Sequence, residues 1–240
     1  MEQSTLVAHC GTRKLSREEL TTIPAPEGTL THRPIPHCKI VTALIETLGF
    51  RQIGIVRDEY AVSADGMKMF GVLDLETSFE GCRFSIGLRN ANDKSMRLAL
   101  TVGYRVFVCD NMAFHGDFTP VLAKHSKNFS LVDALAVGVD RMQRNFEPMR
   151  RQVEGWRQVQ LTDDRAKLVI YRAFVEAELE APKHLVRDVH DAYFNPRYPE
   201  FQPRTIWSLT NAFTSSLKTL DPVPQFKATA KLGQFFNSLN

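Results

Sequence analysis

The residues best suited to chemistry are basic and close in sequence: Arg83, Arg89, Lys94, Arg97 and Arg105, within the stretch GCRFSIGLRNANDKSMRLALTVGYRVFVCDNMAF that runs from Gly81 to Phe114. Cationic side chains attract nucleic-acid backbones because each neutralised phosphate releases condensed counterions. Arginine adds a planar fork that grips phosphate bidentately or stacks on a base. Asn90, Asn92 and Asn111 stand among these cations and offer hydrogen bonds to phosphate oxygens. Unpaired charge is costly to bury, so a strand pair carrying this much of it reads as a solvent-facing binding surface.

Other constellations carry less. Arg141, Arg144, Arg150, Arg151 and Arg157 form a second basic group at helical spacing, but Glu147 and Glu154 interleave with them, and such surface pairs contribute little. Phe84, Tyr104, Phe107 and Phe114 are candidate stacking rings, although aromatics at strand spacing mostly turn their large apolar area inward. His37, Cys38, Cys109 and His115 match no zinc-finger or ribbon spacing, and free cysteine packs as a small buried apolar group. The chain has no GxSxG elbow, no GxxxxGK[ST] loop and no HExxH helix. Asp110 and Asp117, near Asn111 and His115, are two acids a metal-dependent nuclease would gather. The same residues equally suit a turn after a strand. The expectation is therefore a binding protein, with no catalytic residues, no metal and no cofactor.

Charge distribution supports the basic surface. Net charge is only +3, but residues 51–80 carry three basic and six acidic side chains, whereas residues 81–160 carry twelve and seven. Such asymmetry makes one face more cationic than the total suggests. Four cysteines without CxxC spacing point to free thiols in a reducing compartment. No apolar run approaches the roughly 18 residues of a membrane span, and a cytoplasmic protein without membrane contact is expected.

The elements that position these residues follow from hydrophobic period. Residues 1–35 hold a proline-rich stretch, IPAPEGTLTHRPIP, and read as an extended leader. Residues 36–240 read as a single α+β domain, with a helix and β-meander over 36–129 and a helical half over 130–240. Ile40, Val41, Leu44, Ile45 and Leu48 recur at helical spacing after Pro36 and stop at Gly49. The period then changes to two. Residues 50–63 and 67–77 form a hairpin around Ala64-Asp65-Gly66, and the next pair turns at Asn90–Asp93. Along the fourth strand Leu98, Leu100, Val102, Tyr104, Val106 and Val108 take one face and Arg97, Thr101 and Arg105 the other. A four-stranded antiparallel meander with one apolar and one polar face results, packed against a mostly helical C-terminal half. Five helical stretches follow Ser130, one holding Pro148 and one capped by Thr162.

Phe70-Gly71-Val72-Leu73, Gly87-Leu88-Arg89-Asn90 and Arg105-Val106-Phe107-Val108-Cys109-Asp110-Asn111, with the later Thr205-Ile206-Trp207-Ser208-Leu209-Thr210-Asn211-Ala212-Phe213-Thr214, resemble an uncharacterised family of phage- and plasmid-like proteins. That family is known chiefly as a domain of unknown function, and the likeness spans roughly residues 35–215. It implies a mobile-element or prophage setting and no settled activity. In architecture the chain is also similar to single-strand annealing proteins of phage recombination, which back a basic sheet with helices. Fold does not fix function. The combined expectation is sequence-nonspecific binding of single-stranded DNA, with annealing by a homo-oligomer as its sharpest form. The alternative is an interaction protein that inhibits a host defence protein.

Overall fold

The computed structural model describes residues 12–109, 112–114, 120–176, 179, 181–220 and 222–238. The chain divides into two compact units, Met1–Tyr104 with Phe118–Asn145, and Arg105–Asp117 with Phe146–Asn240.

The first unit is built on an antiparallel sheet. Its strands are β1 (Thr12–Leu15), β2 (Ile55–Ser63), β3 (Lys68–Phe79), β4 (Cys82–Ala91) and β5 (Leu98–Val106), adjacent in that order. Among the described residues the chain has two further strands, β6 (Met112–Phe114) and β7 (Val121–Ala123), and β7 lies antiparallel against β5. The expected four strands are thus β2 to β5, and the sheet is wider. The added strands have only three or four residues each, too few to display a period of two.

Turn chemistry fixes the register. Gly66 takes φ +71°, and Asp65 accepts a hydrogen bond from the Met67 amide at 3.0 Å, closing the β2–β3 turn. Pairing then runs Tyr60 to Gly71 and Phe70 to Arg89. A Cβ on Gly71 would stand 2.9 Å from the Tyr60 ring, so glycine is what lets that ring lie flat across β3.

The polar outer face expected of the sheet is absent from β5. Every residue from Leu98 to Val106 is buried, including Thr101 and Arg105. A strand covered on both faces reads as a continuous buried run instead of an alternation. Inside β3 and β4, Ser85 donates to Asp74 at 2.7 Å, which satisfies two polar groups that would otherwise be orphaned.

α1 (His37–Phe50) buries Ile40, Val41, Leu44 and Leu48, the stripe its spacing predicts. α2 (Leu131–Gln158) carries Pro148 within it. Its Gly138 is the point of closest approach to β7: a Cβ there would fall 2.3 Å from a Val121 methyl. The remaining helices are α3 (Asp163–Phe174), α4 (Val186–Phe194), α5 (Ile206–Leu217) and α6 (Pro222–Asn237).

These last four helices make up most of the second unit. Thr162 caps α3 by accepting from the Arg165 amide, and Thr205 caps α5 by accepting from the Ser208 amide. The core is aromatic: Phe213 stacks on Phe174 at 5.6 Å and meets Phe236 edge-on. Asn211 is buried and donates to the Trp207 carbonyl at 3.0 Å, a structural use within α5. Arg204 donates to the Tyr193 and Phe194 carbonyls and lies over both of their rings, tying off the end of α4. Among the described residues no helix is long and apolar enough to cross a membrane.

Candidate functional site

The turn between β4 and β5 brings cations together at one edge of the sheet. Lys94 and Arg97 line a cavity of about 440 Å³ with Thr31, His32, Ala91, Ser95, Met96, Lys124, His125 and Ser126. Three fixed positive charges (Lys94, Arg97 and Lys124) therefore face one small space. No acidic side chain is among its described lining residues.

Three chain segments have to meet for this to happen. The pairing of Leu98 with Ala123 sets Arg97 and Lys124 side by side, one residue beyond the β5–β7 ladder. An isolated bridge between His32 and Ser126 adds the segment ahead of α1. That segment is held by Asn92 in the turn and by Asn90 near the end of β4. The Ile35 amide donates to Asn92 Oδ1 at 3.1 Å, and His32 Nε2 lies 3.2 Å from the Asn92 carbonyl. Asn90 Nδ2 donates to His37 Nδ1 at 2.9 Å, while His37 Nε2 donates to the Gly66 carbonyl at 2.9 Å. The two contacts fix the neutral tautomer of His37, and burial holds its titration below the ordinary histidine value. With both ring nitrogens engaged, His37 has none left for a metal.

The rings beside the cations form a stack. His125 lies 5.7 Å from His32 at 11° and 6.5 Å from Phe129 at 12°, so it is the middle ring of three. Only 5% of His125 is exposed, and neither ring nitrogen has a hydrogen-bond partner among the described residues. Burial, reinforced by the nearby His32 and His37, pushes its titration down to about 4.

The loop itself is strained at a charged residue. Lys94 takes φ +67°, the left-handed region that costs a residue with a Cβ roughly 1–2 kcal/mol. Beside it, Asp93 is opposed by partial burial but is held below the usual carboxylate value by hydrogen bonds from Ser95 and the charge of Lys68. Replacing Lys94 by glycine is expected to stabilise the protein by about 1 kcal/mol in urea unfolding. The same change removes one of the cavity's cations, so stability and anion affinity should move in opposite directions.

The remaining candidates lie elsewhere. Arg83 pairs with Ser78 at the far end of β4, about 23 Å from Asn90 at 3.3 Å per residue. Arg89 is half-buried opposite Phe70, and desolvation lowers its titration. Arg105 is buried in β5. Asn90 and Asn92 are buried supports of the cavity wall. Asn111 lies outside the described residues, as do Asp110, His115 and Asp117. On α2, Glu147 pairs with both Arg150 and Arg151, and Arg51 pairs with Asp140. Arg157 sits over the Trp207 ring at 4.8 Å. The sequence reading missed Lys124, His32 and His125, whose only signal was their basic or imidazole character far along the chain.

Among the described residues Cys38, Cys82 and Cys109 form no disulfide, and no cluster of three or more His, Cys, Asp or Glu could hold a metal ion. No curated protein and no solved structure matches the chain. A family model matches residues 36–231, which take in α1, the β4–β5 turn with Lys94 and Arg97, β7 with Lys124 and His125, and most of the helical half. The chain belongs to the family described as a domain of unknown function (DUF932).

Proposed function

We propose that the protein binds nucleic acid without sequence specificity, with a single strand as the preferred form, and that the cavity at the β4–β5 turn is where it does so. The observation that carries this reading is the convergence of Lys94, Arg97 and Lys124 on a space with no acidic side chain among its described lining residues, next to half-buried His32. Phosphate contacts by Lys and Arg position a strand and carry no sequence information. A ring beside a cationic track lets any base stack, because every base has a π face. Asn90, Asn92 and His37 position this wall and do not touch the strand. An exposed groove on the outer face of the sheet is not required.

Fluorescence anisotropy of a labelled single-stranded oligonucleotide, titrated at several salt concentrations, tests the reading. Neutralisation of about three phosphate charges by the three cations predicts a log–log salt slope of about −2. Arg97→Gln and Lys124→Gln should each make that slope shallower by about 0.7. Absence of binding at low salt would remove the nucleic-acid reading and favour a protein partner.

A further inference from the structure

The cavity's size and charge say more than that a strand passes by. Small-ligand pockets run from about 300 to 1,000 Å³, and this one, at about 440 Å³, is on the scale of a single-nucleotide site. An internal phosphodiester brings one negative charge, whereas a phosphomonoester brings about −1.5 to −2 and three acceptor oxygens. Three side-chain cations converging on one nucleotide's volume match the second better than the first. Hydroxyls of Ser126 and Thr31 share the lining and can donate to phosphate oxygens.

We infer that the cavity takes a nucleoside monophosphate group, and that the protein thereby captures phosphorylated strand ends in preference to strand interiors. This deepens the nucleic-acid reading and rests on it for the choice of strand over free nucleotide. Lys94, Arg97 and Lys124 surround the phosphate. His32, covered on one face by His125, offers its other face to the base. His125 backs the site with two ring nitrogens that have no hydrogen-bond partner among the described residues. Buried polar groups left this way in a folded protein call for an explanation. A phosphate oxygen drawn against the ring supplies an acceptor for its N–H.

The experiment compares one internally labelled single-stranded DNA in three forms: 5′-phosphorylated, 3′-phosphorylated and hydroxyl at both ends. In parallel, adenosine 5′-monophosphate and inorganic phosphate are titrated by calorimetry. A phosphate at one end is expected to tighten binding about tenfold. Arg97→Gln and Lys124→Gln should abolish that preference while circular dichroism shows an unchanged fold. The nucleotide should compete for the end, and more strongly than inorganic phosphate does. If all three strands bind alike and the nucleotide gives no heat, the end-capture inference is overturned, although salt-dependent strand binding would leave the broader reading intact. If no strand binds but the nucleotide does, in a Lys124-dependent way, the strand reading fails and the cavity stands as a mononucleotide site.

Discussion

Acidification from about pH 7 to about pH 4 is expected to remove about 3 kcal/mol of stability through His125 alone. The folded ring titrates at about 4, because burial first, and then His32 and His37, oppose its charged form. Above an ordinary histidine value near 6.5 both folded and unfolded rings are neutral, and the contribution is fully present. Below it the unfolded chain takes up a proton that the folded chain refuses, so stability drains until about pH 4 and then levels off. Carboxylates held low by hydrogen bonds and ion pairs, such as Asp65 and Asp140, lose their contribution only in more acidic solution. The histidine window is therefore separable. His125→Phe keeps a ring between His32 and Phe129 and deletes two unpartnered nitrogens. Urea unfolding should find it about 1–2 kcal/mol more stable than the wild type at neutral pH. The difference should grow by about 3 kcal/mol on acidification. A wild type and a variant that weaken in parallel would show that His125 is protonated in the fold.

His37→Leu is expected to cost about 3–4 kcal/mol at neutral pH. Leucine nearly preserves volume, so little of this comes from a cavity. It comes instead from the Gly66 carbonyl and from one N–H of the Asn90 amide, whose other donation goes to the Ile35 carbonyl at 3.4 Å, each orphan costing about 1–3 kcal/mol. His37 joins three elements at once: the start of α1, the β2–β3 turn and the end of β4. The check is a double-mutant cycle with Asn90→Leu. If the two side chains act as one connection, the double variant will be at least about 1 kcal/mol more stable than the sum of the single losses implies. Strict additivity would mean that the contact carries no energy. Oligonucleotide affinity should also fall in His37→Leu, since the same connection holds the segment that presents His32.

Several elements were legible because their signals are local. The i, i+3, i+4 stripe of α1, the Asp65-Gly66 turn and the Thr162 cap each lie within a few residues, and all three are present. Lys94 and Arg97 were legible for the same reason, being next to a turn that could be read directly. The rest depends on distant partners. β1 and β7 are strands because β2 and β5 offer them edges, not because their own residues alternate. Thr101 and Arg105 were assigned to a solvent face on period alone, yet they are buried. An alternation reports which residues share a face, not whether that face is covered. Lys124, His32 and His125 reach the cavity only through the Leu98–Ala123 pairing and the His32–Ser126 bridge, neither of which has a sequence pattern.

The assembly of the cavity from residues 31–32, 94–97 and 124–126 has a thermodynamic corollary. An unfolded chain holds no trace of the site, so an occupant recognises the native state alone, and mass action makes it a clamp on the fold. At a hundred times its dissociation constant such an occupant adds about 2.7 kcal/mol, a large share of the roughly 5–15 kcal/mol that holds a typical domain together. A melting curve therefore becomes a label-free gauge of occupancy, and a protein short of its ligand will be the one most easily unfolded.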